Sequence, residues 1–265
     1  MRKPEQQLEL LELDAELIKK WYLETRKLIE DTVCPDGQAD MVCAAALAVG
    51  GNYSKSVIEL LRLGHQLPAK ALLRILCELT AKLAWVIVAP RSKKKNKKEE
   101  FEKKLNQWHR ATLHKRINIL EEFRSIVPEE QRDYLEKAIV NAKAQFKRLH
   151  GPRMPKTIEI FSKLSPKWRK GMYPRGFLQF NDAVHIDLGS LAHRFSTEGE
   201  VANVDPDSND DVSELSGYCL CFIYQIIYIV RSHFGMDTEQ MAAEFHDNGR
   251  DIFSPQETDK LKNIG

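Results

Sequence analysis

Ala71-Leu72-Leu73-Arg74-Ile75-Leu76-Cys77-Glu78-Leu79-Thr80-Ala81 is the stretch on which the fold class turns. Its apolar residues recur at helical spacing, and Pro90 ends the apolar segment that continues to Ala89. Arg74 and Glu78 stand four residues apart, so a helix places them one turn from each other. Charge in so apolar a segment is unfavourable unless paired, and the pair marks either a structural contact or a site. An exposed pair at this spacing contributes only ~0.3 kcal/mol, and Arg before Glu is the weaker order for an isolated helix. Local helix support is therefore a poor reason for it. On a helical projection the pair lies opposite the stripe Leu72, Leu76, Leu79 and Leu83, on a face that also carries Ala81 and Trp85.

The flanking segments are helical too. Residues Glu5 to Glu30 place Leu8, Leu11, Leu13, Leu17, Ile18, Trp21, Tyr22 and Leu28 among charges at helical spacing. A second helix runs from about Ala39 to Leu63, with Gly50-Gly51-Asn52 as an expected break or kink. A basic loop, Arg91 to Lys98, precedes two charged amphipathic helices, Glu99 to Ser125 and Glu129 to Leu149. Gly151 to Arg175 carries four prolines and reads as irregular, with one short helix at Thr157 to Leu164. Phe177, Phe180, Val184, Leu188, Leu191 and Phe195 predict a helix from Phe177 to Phe195. The acidic loop Val204 to Asp211 leads into the apolar helix Val212 to Phe234. Thr238 is placed to cap a last helix, Glu239 to His246.

No segment shows sustained strand alternation, so the expected fold is all-α: a bundle-like domain of roughly eight to nine helices without significant sheet. Four regions are expected: N-terminal helices (1–90), a basic loop with a charged helical pair (91–150), a Pro-rich connector with C-terminal helices completing the bundle (151–250), and a tail (251–265).

The 265 residues are enough to bury a sizeable core. With 40 Lys plus Arg against 38 Asp plus Glu, the formal charge is only +2, so a nucleic-acid partner would need a local patch. Cys34, Cys43, Cys77, Cys219 and Cys221 include no C-x-x-C pair and read as reduced thiols. The N-terminus leads into a charged helix rather than an apolar signal core. The apolar run Tyr218 to Val230, interrupted by Gln225, is short for a bilayer and reads as a core helix. The expectation is a cytoplasmic protein with no membrane partner.

Beyond Arg74 and Glu78, His185 stands at the edge of an apolar stripe, with Asn181 one turn before it and His193 two turns after. A histidine there can exchange a proton near neutral pH. Leu72-Leu73-Arg74-x-x-x-Glu78, followed about a hundred residues later by Asn181-x-x-x-His185, resembles the bacterial domain-of-unknown-function family 5677 from about Glu5 to Phe234. That resemblance implies a helical domain in which Arg74, Glu78 and His185 converge, and no established activity. Ser is commoner in the family at the Asn181 position. The chain is also distantly similar to helical HEPN-type ribonucleases, but it lacks their Arg-x(4 to 6)-His hallmark. Arg110 and His114, for example, are separated by three residues.

Asp182-x-x-His185 has di-iron spacing without the second motif such a site needs, and Asp205 to Ser216 fails the EF-hand pattern at positions six and twelve. No metal or cofactor is expected. Lys93, Lys94, Lys95, Lys97 and Lys98, with Arg110, Lys115 and Arg116 further on, are candidate nucleic-acid contacts, although Glu99, Glu100, Glu102, Glu121 and Glu122 interrupt them.

The expected function is a helical binding or effector module in bacterial stress or phage defence. In it Arg74 holds an anion or orients Glu78, Glu78 fixes the partner and His185 moves a proton. Tyr173, Asn181 and His193 are further binding candidates. One alternative is a metal-independent endoribonuclease with His185 as base and Arg74 stabilising the charged phosphorane. Another is a scaffold or dimerisation protein in which Arg74 and Glu78 fix helix register. A homodimer is expected from the prevalence of symmetric dimers, with RNA or a partner protein as further partners.

Overall fold

The computed structural model describes residues 3–32, 37–87, 97–164, 172–178, 180, 195–198, 201–204 and 212–248. It is all-α, with eight α-helices among the described residues. They are α1 (Pro4–Thr32), α2 (Gln38–Arg62), α3 (Gln66–Ile87), α4 (Lys97–Phe123), α5 (Glu129–Arg148), α6 (Thr157–Leu164), α7 (Val212–His233) and α8 (Glu239–Asp247). A π-helical turn occupies Tyr173–Leu178. The chain forms two compact units, one of residues 1–89 with 157–265 and one of residues 90–156.

The larger unit is organised by α7, which packs on α1, α2 and α3. Every residue from Leu215 to Arg231 is buried, so no polar face is left and no amphipathic stripe appears in that stretch. By length and composition alone α7 could cross a bilayer. Here its apolar surface is taken up by the three neighbouring helices.

Gly50 and Gly51 do not break α2. A Cβ on Gly50 would lie 3.0 Å from Cδ1 of Ile226, and one on Gly51 would collide with the Tyr22 ring. Both glycines therefore sit where α2 approaches α7 and α1 closely, a packing use that outweighs their poor helix propensity. Gly64 has the different role of ending α2. At φ +75° it adopts the left-handed conformation, and the His65 N–H reaches back to Leu60 O at 2.8 Å.

Polar contacts fix the helices around α7. Asp14 of α1 is fully buried and accepts the Ser216 hydroxyl at 2.6 Å and the Asn248 amide at 3.3 Å. Arg62 clamps Glu12 with two bonds, at 2.8 and 2.6 Å, joining α2 to α1. His233 meets Asp40 at 2.7 Å, tying the end of α7 to the start of α2. The α7 N-terminus receives Gln7, whose side-chain oxygen accepts the Val212 N–H at 3.1 Å.

Three local expectations need correction. Phe195 is not the last turn of a helix. It opens a strand, Phe195–Glu198, that pairs antiparallel with Val201–Val204 in the register Phe195↔Val204 to Glu198↔Val201. Strands of four residues are too short to show alternation, while Phe195, Thr197, Val201 and Val204 all have strong strand preference. Residues 177 and 178 belong to the π turn, and the expected helical positions 181–194 lie outside the described residues. Thr238 makes no capping bond through its side chain; Asp237 Oδ1 accepts the Glu239 N–H at 2.8 Å instead. The acidic stretch 205–211 lies outside the described residues.

Cys43, Cys77, Cys219 and Cys221 are free and buried. Burial pushes the Cys43 and Cys219 thiols up to about 12, so neither is a nucleophile near neutral pH. Cys34 lies outside the described residues. A Cys34→Ser variant is expected to show no thiol reactive toward Ellman's reagent while folded, and all four after guanidinium unfolding. A folded protein that titrates promptly would contradict the burial.

In the smaller unit α4 and α5 pack as an antiparallel hairpin through Leu113, Ile117, Leu135, Ile139 and Ala142. Arg124–Glu136 and Lys143–Glu121, both at 2.6 Å, fix its register.

Candidate functional site

The buried face of α3 carries Leu73, Leu76, Cys77, Thr80 and Ala84, whereas Leu72 and Leu79 of the expected stripe are only half-buried. The face is rotated because α3 is covered by α2 and by α7 together, a wider contact than one stripe supplies. Thr80 marks its centre. Its hydroxyl bonds back to Leu76 O at 2.8 Å and lies 3.4 Å from Phe222 O of α7.

At the margin of that face Arg74, Glu78 and Lys82 succeed one another at intervals of four. Their side chains are 14%, 25% and 20% exposed. One Glu78 oxygen meets Lys82 Nζ at 2.5 Å, and the other stands 3.7 Å from Arg74 Nη1. The short bond has the favourable order, Glu before Lys. Of these two cations Lys82 makes the shorter contact with Glu78, and Arg74 has other company as well. Lys82 is not among the residues that the sequence motif singles out, although Glu78-x-x-x-Lys82 has the spacing of a helical ion pair.

The other company is aromatic. The Arg74 guanidinium lies over the Phe177 ring, 4.2 Å from its centroid. Phe177 stacks on Tyr173 at 5.4 Å, and both present themselves edgewise to the buried Phe161 of α6, at 6.5 and 5.5 Å. In a π turn the hydrogen bonds link residues five apart, and such turns are frequent at functional sites. Here it brings Tyr173 and Phe177 to one side of α3.

Arg74 Nε is buried and has no hydrogen-bond partner among the described residues. A buried guanidinium N–H without an acceptor is unfavourable by roughly 1–3 kcal/mol. The arrangement offers a cation on an aromatic face with a donor free for an acceptor such as a phosphate or carboxylate oxygen. The neighbouring Cys77 is no nucleophile: burial, with Glu78 adding to it, holds its thiol well above its ordinary value. Among the described residues no three metal-ligating side chains come together.

Of the other candidates, Tyr173 is half-buried in the aromatic stack. Lys97 begins α4, and Lys98, Arg110, Lys115 and Arg116 lie along it. Asn181, His185, His193, Lys93, Lys94 and Lys95 lie outside the described residues. Among the described residues the structure therefore joins Arg74 to Glu78 and to the π turn.

Residues 40–202, more than half of the chain, match the model of a family described as "Family of unknown function (DUF5677)". The chain belongs to that family. The DUF5677 region holds the Arg74–Glu78–Lys82 ladder, the whole smaller unit and the π turn, while α1, α7 and α8 fall outside it. No curated protein and no solved structure matches the chain.

Proposed function

We propose that this DUF5677 chain is a helical binding or effector module whose working centre is Arg74, with Glu78 and Lys82 beside it on α3 and Tyr173 and Phe177 facing it. Its ligand is an anionic group. The observation that carries the reading is the buried Nε of Arg74, which meets no acceptor among the described residues although the guanidinium lies on an aromatic face and within 3.7 Å of Glu78. A purely structural arginine would be expected to spend its donors on the protein. His185 is the proton-handling partner in this reading, on the strength of the family-like Arg74/Glu78 and Asn181/His185 motifs. The setting is the bacterial cytoplasm, in stress or phage defence, as a homodimer.

The test is thermal unfolding of wild type and Arg74→Gln while inorganic phosphate and a nucleoside monophosphate are titrated. Phosphate-bearing ligands should raise the wild-type midpoint, by about 2.7 kcal/mol of linkage at a hundred times Kd. Arg74→Gln should show no rise. If neither ligand moves the wild type, the anion site is refuted and Arg74 serves helix register. RNA cleavage that survives EDTA and disappears in His185→Ala would turn the module into a ribonuclease.

A further inference from the structure

The near-neutral total charge conceals a separation between the two units. Residues 90–156 contain nineteen Lys and Arg against nine Asp and Glu, a net charge of +10. The remaining residues contain twenty-one against twenty-nine, a net charge of −8. Within the smaller unit the charges separate again. All nine carboxylates lie in residues 99–102 and 121–136. Residues 103–120 of α4 and 137–156 of α5 and its continuation contain none, but hold eleven Lys and Arg with His109, His114 and His150.

The hairpin lays these two acid-free stretches side by side. Lys143 pairs with Glu121 near the connecting turn. Farther from the turn the Arg110 guanidinium lies 4.8 Å from the Phe146 centroid and donates to Gly151 O, while His114 packs on Phe146 at 5.9 Å. Lys103, Lys115, Arg116, Lys147, Arg148 and Arg153 are exposed and pair with no carboxylate among the described residues. The run from Lys103 to Arg116 extends for about 20 Å at the helical rise.

Like charges gathered on a small helical pair repel one another, and they destabilise the hairpin unless a polyanion neutralises them. The large exposed apolar side chains of this unit, Ile119, Phe123, Ile126, Tyr134 and Val140, all lie toward the turn. Among the described residues the basic end has none, so neither the apolar wedge of a membrane-surface helix nor an exposed large aromatic platform for single-stranded bases is found there. We infer that the basic end of the α4–α5 hairpin binds the phosphodiester backbone of a nucleic-acid duplex, independently of its sequence. The residues of this site all belong to the smaller unit.

The experiment is fluorescence anisotropy of the full chain with labelled duplex DNA and duplex RNA, each in two unrelated sequences, over a salt series. The charge reversals Lys115→Glu with Arg116→Glu, and Lys147→Glu with Arg148→Glu, should each weaken binding by at least about tenfold and flatten the salt dependence by about two phosphate contacts. Arg132→Glu, near the turn, should leave binding unchanged. The better of the two duplexes identifies the source of the backbone. Failure of the folded wild type to bind either duplex at low salt would overturn the inference. So would tighter binding of single strands, equal weakening by Arg132→Glu, or preference for anionic phosphatidylserine vesicles that is lost on Phe123→Ser.

Discussion

Trp21→Ala is expected to destabilise the larger unit by about 4 kcal/mol, in the range of buried aromatic truncations. Trp21 is 0% exposed, meets Tyr224 of α7 edgewise at 5.9 Å and lies against Phe245 of α8 at 6.4 Å. Its indole N–H donates to Glu244 Oε2 at 2.8 Å, while Lys20 Nζ holds Glu244 Oε1 at 2.5 Å. Most of the loss comes from the emptied volume, because Glu244 keeps Lys20 and has some access to water. The second consequence is local. With nine residues, α8 is too short to persist alone. It is held by Phe245 stacked on Tyr224 at 4.1 Å, by the Glu244 contacts, and by the Trp21 ring itself. Amide exchange in α8 should therefore accelerate more than exchange in α2. Trp21→Phe keeps much of the ring area and should lose less than half as much. A urea-unfolding loss below about 1 kcal/mol for Trp21→Ala would show that the site collapses without a cavity.

The long contacts that such a substitution breaks are also those that sequence reveals least. The apolar helices α3 and α7 could be read from composition, and the all-α class followed. Arg74 and Glu78 could be paired from their spacing, since i and i+4 are neighbours in any helix. Phe177 could not be assigned to Arg74, because it stands more than a hundred residues away and no local rule links them. The same holds for Asp14 with Ser216 and Thr25 with Arg231. Each polar residue lies in a charged-looking helix and is buried only because its partner arrives from about two hundred residues on. Gly50 and Gly51 misled for the opposite reason. Local propensity marked them as a break, and the close approach of two other helices reversed their meaning.

Arg231→Ala tests the most consequential of these distant contacts and should lose about 3 kcal/mol. Arg231 is 6% exposed, at the last turn of α7. Its Nε donates to Thr25 Oγ1 at 2.7 Å, Nη1 to Asp237 O at 3.3 Å and Nη2 to Glu24 Oε2 at 3.2 Å. Thr25 is fully buried, whereas Glu24 is half-exposed. Removing the guanidinium therefore strands the Thr25 bond in the interior, while water can replace most of what Glu24 loses. Two comparisons separate those parts. Glu24→Gln should shift stability by less than about 0.5 kcal/mol, and that shift should shrink in salt. A double-mutant cycle of Arg231→Ala with Thr25→Val should give a coupling near 1 kcal/mol or more, insensitive to salt. A coupling near zero would mean that Arg231 acts through its charge alone. Arg231→Lys keeps that charge but not the planar fork, and it should recover only part of the loss. Because α7 is the common wall of α1, α2 and α3, loosening its end is expected to be felt on α3 as well. Loss of phosphate response in Arg231→Ala at temperatures where the fold survives would place that coupling in the site as well as in the core.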